Sequence, residues 1–334
     1  MRRFLFVLLA VVAALPLLAA CGGDDNGSGG FGKKDDKTSG LTGPIPAAAR
    51  KIINAVPAGA DYFVGQNNFV VGVTNKDDIP QGGAQVKLTF YDLRDPSNQK
   101  AVGTVDAVQS APGVGKAVQH THADGEVHQH GGQDDGRVGY YAPMAFDHAG
   151  FWGVRVQAKL KDGTTGQDDF GFQVFEKPHM PAPGQPAIKS DNLTKKDVAK
   201  ISEIDSGDPP NDLHDVKIKD AIAAHRPLVI VFATPAYCTS RFCGPVTEEV
   251  ENMHDKYKDS VDFVHIEIWR HFDKQELNPT TKEWLVQPDG SLTEPIVYVV
   301  DKNGTIYNRW EGPAAGNIME PSVLAVSQGK TFGQ

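Results

Sequence analysis

Two cysteines five residues apart, Cys238 and Cys243, carry the clearest chemical signal in the sequence. They follow a continuous apolar run, residues 228–232, and precede a stretch whose apolar residues recur at helical spacing. A thiol at a helix N-terminus is stabilised as a thiolate by the helix dipole and by the unpaired N–H groups. Arg241 adds a positive charge between the two thiols. The pattern predicts a cysteine pair that can close a disulfide.

Three kinds of site remain open for this pair: a reversible redox disulfide, a structural disulfide, and a metal thiolate site. Spacing alone does not separate them. On a continuous helix, five residues turn through about 500°, which leaves the two thiols about 140° apart around the axis. We therefore expect Cys238 in a loop, with regular helix beginning near Pro245.

A histidine-rich loop, residues 119–132, is the second candidate site. It contains four of the eleven histidines: His120, His122, His128 and His130. Residues two apart on a strand share a face, so each His-x-His pair can offer two imidazoles to one ion. With a two-residue turn His122 faces Val127; with a three-residue turn His122 opposes His128 and His120 opposes His130. The loop is a candidate site for copper or zinc, and a solvated polar loop is the alternative.

The N-terminus has the features of a bacterial export signal. Arg2 and Arg3 precede an uncharged apolar stretch, residues 4–20. The sequence Leu18-Ala19-Ala20-Cys21 resembles the lipobox, whose cysteine receives a lipid and becomes the mature N-terminus. We expect a signal peptide over residues 1–20, a lipid anchor at Cys21, a flexible tether over 21–45, and a position on the extracytoplasmic face of the cell membrane.

Composition limits the classes of partner. The 334 residues carry a formal net charge of −9, and no Lys/Arg cluster that would neutralise phosphates is present in the sequence, so we expect no nucleic-acid partner. The apolar content of 40% is that of a globular protein. No cofactor is required by any motif. In an oxidising compartment, the expected partners are protein thiols or disulfides and, through the lipid anchor, the membrane.

The patterning predicts two folded units. Apolar residues alternate with period two from about Tyr62 to Phe175, as in Val86, Leu88 and Phe90, which predicts an all-β antiparallel sandwich over residues 46–176. Four prolines in residues 177–190 predict a semi-rigid linker. Residues 191–334 alternate strands and helices, which predicts an α/β domain with a mixed sheet flanked by helices. Residues 146–152 resemble a hairpin of FixH/YtkA-like or immunoglobulin-like domains.

Residues 192–329 resemble the thioredoxin superfamily. The resemblance is carried by the apolar strand that leads through Tyr237 into Cys238, and by Thr293-Glu294-Pro295 before the next apolar run. It implies a cis peptide bond at Pro295, beside the disulfide, with Cys238 as the attacking thiol and Cys243 as the resolving thiol.

The chain departs from the thioredoxin pattern in two ways. Four residues separate the cysteines instead of two, and no Asp or Glu lies between Pro227 and Cys238, where thioredoxins keep a buried carboxylate. Glu267 on the neighbouring strand is either its substitute or a surface residue. His265, which alternates with apolar neighbours, is expected to be a packed core residue.

These features support three hypotheses. The first is a membrane-anchored, extracytoplasmic thioredoxin-like protein, and if it is an enzyme, it is a thiol-disulfide oxidoreductase. The second is a protein similar to the Sco copper chaperones, which binds and delivers copper or another transition metal. The third is a non-enzymatic surface module with a structural disulfide.

Overall fold

The structure, a computed structural model, describes residues 52–95, 97, 99–113, 118–121, 127–130, 138–238 and 240–334. The predicted signal peptide, the lipidation site Cys21 and the predicted tether 21–45 lie outside the described residues, as does His122. Within the described ranges, no helix has the length and apolar character needed to cross a membrane.

Every regular element described in the N-terminal unit is a strand. They are β1 Ile53–Pro57, β2 Tyr62–Phe63, β3 Gly65–Asn75, β4 Gln85–Asp92, β5 Lys100–Ser110, β6 Val118–Thr121, β7 Val127–His130, β8 Gly139–Phe146, β9 Gly150–Lys159 and β10 Thr165–Phe175. Eight of them form one sheet in the order β1-β3-β8-β5-β4-β9-β10-β2, in which only the pairing of β10 with β2 is parallel. Strands β6 and β7 form a separate hairpin.

The eight-stranded sheet curls so that its two halves face each other. Strand β5 joins the halves, because its first part pairs with β4 and its last residues, 108–110, pair with β8. The predicted period-two alternation is confirmed on β4, where Val86, Leu88 and Phe90 are buried and Lys87 is exposed. The apolar faces of both halves meet in one core, whose burial is the main source of stability for such a sheet.

The C-terminal unit contains a mixed sheet with helices on both faces. Its elements are α1 Ile218–Ala223, β11 Leu228–Ala233, α2 Cys243–Tyr257, β12 Asp262–Glu267, β13 Trp269–His271, β14 Glu276–Leu277, α3 Pro279–Leu285, β15 Ile296–Val300, β16 Ile306–Glu311 and α4 Gly316–Ser327. The sheet order is β12-β11-β15-β16; β11 and β12 are parallel and the other pairs antiparallel. The predicted α/β class with a mixed sheet is confirmed.

Alternation along β11 explains the two layers of helices. Val229 and Val231 pack in a core with residues of α2 and α4, whereas Leu228, Ile230 and Phe232 pack with residues of α1 and α3. Every residue of β11 is buried, which is typical of a central strand covered on both faces. The end of β11 is therefore held firmly, and it is the end that leads to Cys238.

The segment 177–190 differs from the predicted linker. Instead of spanning open space, it lies beside β16: the Gly184 N–H donates to the Ile306 carbonyl at 2.9 Å, and the Ile306 N–H donates to the Gln185 carbonyl at 2.8 Å. Met180 and Ala187 are buried. A proline-rich composition fixes the backbone in an extended form but does not reveal that this backbone pairs with a strand.

The two units pack tightly against each other. Arg309 of β16 is buried and pairs with Asp61 of the N-terminal unit at 3.0 Å and with Glu311 at 3.2 Å. The Ala315 N–H donates to the Ser110 hydroxyl at 2.7 Å. These buried polar contacts fix the position of the N-terminal unit beside the C-terminal one, because breaking one would leave a buried charge or donor unpaired.

The β6–β7 hairpin corrects both predicted registers of the histidine-rich loop. The backbone pairing places His120 opposite His128, and Val118 opposite His130. The expected pairs, His122 with Val127 or His120 with His130, are replaced by Thr121 with Val127 and Val118 with His130, so the register differs by one or two residues from those predicted.

Candidate functional site

Cys238 and Cys243 form a disulfide at the start of α2, with their Cα atoms 5.9 Å apart. The chain leaves β11 at Ala233, turns through residues 234–237 and reaches Cys238 in a loop, as predicted. Helix α2 begins at Cys243 itself, two residues earlier than the expected start near Pro245. Cys243 is fully buried, whereas Cys238 keeps 7% of its surface exposed. Both residues are buried, and Cys238 is the less buried of the two.

Hydrogen-bond donors surround the Cys238 sulfur. The backbone N–H of Cys243 donates to Sγ at 3.3 Å, and the Ser240 hydroxyl, at 3.2 Å, donates to the same atom because a disulfide sulfur carries no proton. After reduction, these donors and the positive end of the 15-residue helix α2 favour the thiolate of Cys238.

Arg241 lies in the turn between the two cysteines. Its side chain is exposed, and its backbone has a positive φ of 61°. This conformation allows its N–H to donate to the Cys238 carbonyl at 3.3 Å. The guanidinium contributes positive charge at the mouth of the site, where solvent weakens its effect on the sulfur.

Pro295 begins the turn into β15, and the Glu294–Pro295 peptide bond is cis, as predicted. A residue that the sequence analysis did not single out, Glu294, reaches the disulfide: one of its carboxylate oxygens and both sulfur atoms lie within 4.8 Å of one another. Its Oε2 is buried and has no hydrogen-bond partner among the described residues. Burial, with a smaller contribution from Glu267, raises the pKa of Glu294 to about 8.

The sequence allowed Glu267 to be either a surface residue or a substitute for the buried carboxylate of thioredoxins. The structure shows that Glu267 is buried at the end of β12. The Ser206 N–H donates to its Oε2 at 2.9 Å, and burial raises the pKa of Glu267 above its ordinary value. Glu294, beside the disulfide, thus interacts with a second carboxyl group whose pKa is also raised, and groups with raised pKa values are typical of sites that transfer protons.

A groove of about 230 Å³ opens beside the disulfide. The C-terminal unit contributes Ser240, Phe242 and Glu294 to its lining, and the N-terminal unit contributes Val73 and Val138. The N-terminal unit thus forms one wall of a largely apolar groove, whose lining includes Ser240 and Glu294, two residues that lie next to the disulfide.

Tyr237, the residue before Cys238, belongs to a group of three aromatic rings. Tyr237 stacks on Phe272 with ring centroids 4.0 Å apart, and Trp269 meets Phe272 edge-on at 5.5 Å. Phe272 is 37% exposed. Trp269 and Phe272 belong to the β13–β14 segment. The sequence analysis did not predict this segment, because its strands are only three and two residues long.

Two groups of side chains in the described part of the chain bring potential metal ligands together. One is the disulfide with Glu294, and the other is a buried cluster of Asp205, His214 and His265. His265 is buried, as predicted, but it belongs to this polar cluster rather than to an apolar core. The histidine-rich loop is described only in its two strands, and the structure contains no test of its metal binding.

The chain was compared with protein-family models and with curated proteins, and none of them matches it.

Proposed function

We propose that the protein is a membrane-anchored, extracytoplasmic thioredoxin-like protein that exchanges thiols and disulfides through Cys238 and Cys243. The thioredoxin-like domain is residues 191–334, and the preceding unit is a β-sandwich whose face walls the groove. One observation supports the proposal most directly: the disulfide lies at the start of a helix, and the carboxyl of Glu294, whose buried Oε2 has no hydrogen-bond partner among the described residues, lies beside it. A structural disulfide needs no such neighbour.

In the first step, a substrate thiolate attacks Sγ of Cys238. The Cys238–Cys243 bond breaks, and its electron pair passes to Cys243. Glu294, protonated at neutral pH because its pKa is about 8, gives its proton to Cys243. The products are a mixed disulfide, a Cys243 thiol and a Glu294 carboxylate. A nearby acid accelerates this step because it neutralises the leaving thiolate in a site that water hardly reaches.

In the second step, another substrate thiol gives its proton to the Glu294 carboxylate and attacks the substrate sulfur of the mixed disulfide. Cys238 leaves as a thiolate, stabilised by the Ser240 hydroxyl and the Cys243 N–H. The substrate is now a disulfide, and the protein carries the Cys238 thiolate and the Cys243 thiol, with Glu294 protonated again. The same steps in reverse reduce a substrate disulfide, so the site serves either direction.

The location follows from the N-terminal sequence and is part of the proposal. Lipidation at Cys21 would hold the protein at the extracytoplasmic face of the cell membrane, where its partners are protein thiols or disulfides. Stable attachment requires two or more acyl chains, because a single chain binds membranes only weakly.

The experiment uses the full chain, reduced beforehand, and a peptide with an internal disulfide. Cys243→Ser is expected to trap a mixed disulfide between Cys238 and the peptide, which mass spectrometry detects, because the Cys238 thiolate opens the peptide disulfide and the resolving thiol is absent. Cys238→Ser is the matched control and should trap little, since Cys243 is fully buried. If neither variant forms an adduct and the reduced wild-type protein does not reduce the peptide, the disulfide is structural, and the third hypothesis, a surface binding module, is favoured.

A second candidate function is transition-metal binding and delivery of the Sco-like type. It is favoured by the short distances, within 4.8 Å, among the two sulfur atoms and Glu294. After reduction these groups offer two soft thiolates and a carboxylate, a set that suits copper or zinc. Titration of the reduced protein with Cu(I) tests it: tight stoichiometric binding without peptide turnover favours metal delivery over exchange. The same titration of a variant lacking the four loop histidines tests their contribution.

A further inference from the structure

The outer face of strand β3 runs from the contact between the two units into the groove beside the disulfide. Residues two apart on a strand share a face, and four residues lie in this way on one side of β3: Asn68, Val70, Gly72 and Thr74. Asn68 donates to the Asn308 side-chain oxygen at 2.7 Å, and Val70 is buried in a core of the C-terminal unit. Gly72 and Thr74 continue along the same face and line the groove.

The other side of the groove is lined by residues that lie next to the disulfide. The Ser240 hydroxyl lies 3.2 Å from Sγ of Cys238, and a carboxylate oxygen of Glu294 lies within 4.8 Å of both sulfur atoms. Successive residues of an extended chain are about 3.3 Å apart. A polypeptide whose cysteine reacts with Cys238 therefore brings the residues next to that cysteine to the groove.

Gly72 leaves space in the groove that any other residue would occupy. Glycine inside a strand weakens the strand and often marks a place where a ligand or another backbone approaches closely. Gly72 lies within an 11-residue strand opposite Val56 of β1, and its φ is not positive, so no turn requires a glycine there. A Cβ at Gly72 would meet its nearest atom, Cβ of Val56, at an ordinary contact distance of 3.4 Å. Packing within the free protein does not require the glycine either.

Thr74 contributes a polar group that the free protein leaves unpaired. Its Oγ1 is buried and has no hydrogen-bond partner among the described residues, although buried polar atoms in native proteins are nearly always paired. A peptide group offers both an N–H donor and a C=O acceptor, and a hydroxyl can pair with either of them. The Thr74 hydroxyl is therefore suited to the backbone of a bound polypeptide.

The size and charge of the groove limit the side chains that fit it. Among the described residues, its lining contains no lysine, arginine, histidine or aspartate. Its one ionisable side chain is Glu294, which is protonated at neutral pH because burial raises its pKa to about 8. A charged side chain in the groove would be buried without a partner, which is costly. The volume of about 230 Å³ is below the roughly 300–1,000 Å³ of sites that hold whole small molecules, so it suits one or two apolar side chains.

We propose that the groove binds an extended apolar segment of the substrate polypeptide beside its reacting cysteine, and that Gly72 and Thr74 of the N-terminal unit determine this preference. The inference rests on the proposed thiol-disulfide exchange and names its substrate class. Apolar segments around cysteines are exposed in polypeptides that have not folded, so unfolded chains are the expected substrates. A small thiol with free carboxylates, such as glutathione, finds no cation in the groove lining.

The test uses the full chain with its disulfide oxidised and three fluorescent peptides in which serine replaces the cysteine, so that binding is measured without exchange. The serine is flanked on both sides by leucines, by lysines or by glutamates. Fluorescence anisotropy should show the leucine peptide binding at least about tenfold more tightly than the other two. Equal binding of the three overturns the proposal. Tightest binding of the lysine peptide also overturns it, because that result reports only the net charge of −9.

Two substitutions locate the binding in the groove. Gly72→Val fills part of the groove and should remove the preference for leucine. Gly103→Val is the matched control on β5, where an added Cβ meets no atom within 4 Å, and should keep the preference. Thr74→Val should weaken binding of the leucine peptide by about 2- to 10-fold without lowering the free energy of unfolding, since the hydroxyl has no partner in the free protein. Binding that survives both Gly72→Val and Thr74→Val contradicts the assignment.

Peptides with the same flanks and two cysteines separate this inference from the proposed function. A wild-type protein that oxidises the leucine, lysine and glutamate peptides at equal rates keeps the exchange function, and the substrate preference is refuted. A protein that binds the leucine peptide with serine but oxidises none of the dithiol peptides keeps the apolar binding site, and the exchange function is refuted.

Discussion

Glu294 provides the most quantitative prediction, through the substitution Glu294→Gln in the oxidised protein. Burial raises the pKa of Glu294 from 4.5 to about 8 in the folded state. An unfolded chain loses this proton near its ordinary pKa, whereas the folded protein keeps it until about pH 8. Between these values the unfolded state has released a proton that the native state still binds, so the native state loses stability as pH rises.

The size of the stability change follows from the width of the pH range between the unfolded-state and folded-state pKa values of Glu294. Within this range, Glu294 lowers the free energy of unfolding of the wild-type protein by about 1.4 kcal/mol for each unit of pH. The total is about 4 kcal/mol between about pH 5 and pH 8. Glutamine has the same shape but no proton to lose. The free energy of unfolding of Glu294→Gln, minus that of the wild type, should therefore rise by about 1.4 kcal/mol per pH unit over this range and level off above it.

Urea unfolding at each pH measures the difference directly, because all other titrating groups are common to both proteins. Glu276→Gln, at an exposed position on β14, is the matched control, because it makes the same substitution at a carboxyl that solvent reaches. A constant difference for Glu294→Gln from pH 5 to pH 8 would show that the carboxyl is ionised in the folded protein, and it would remove the acid from the proposed first step.

Three further predictions concern the sulfur, the interface and the aromatic rings. Ser240→Ala removes a donor to the Cys238 sulfur, so the pH profile of iodoacetamide alkylation of the reduced protein should shift upward by about one unit; an unchanged profile refutes this role. Arg309→Met leaves Asp61 buried without its partner and should lower the free energy of unfolding by about 3–5 kcal/mol, measured in urea; a loss below about 1 kcal/mol contradicts the interface described. Phe272→Ala should raise KM for thiol peptides several-fold while leaving the reaction with dithiothreitol unchanged; equal effects on both contradict a binding role.

Local patterns in the sequence were sufficient for the elements that carry the cysteines. The continuous apolar run before Cys238 predicts the buried strand β11, and apolar residues at helical spacing predict α2. Period-two alternation predicts strands such as β4. Each of these signals depends on neighbours in the chain, which is why their approximate positions are confirmed while exact ends differ by one or two residues.

The features that the sequence did not reveal depend on long-range contacts. In the sequence, 50 residues separate Glu294 from Cys243. The Glu294 carboxyl reaches the disulfide only because β15 lies next to β11 in the sheet. Asp205 meets His265 only because a segment without regular structure pairs with the edge of β12. The packing of residues 177–190 beside β16 has the same origin, since composition predicts a stiff backbone but not its partner.

The central claim is that the Cys238–Cys243 disulfide exchanges with substrate thiols rather than acting as a structural link. The most direct measurement is its reduction potential in the full chain, determined by equilibration with glutathione and followed by counting free thiols. The account predicts a value in the range of exchange proteins, above about −270 mV, with both cysteines reduced together. A value well below about −300 mV, with no oxidation or reduction of a dithiol peptide, would contradict it.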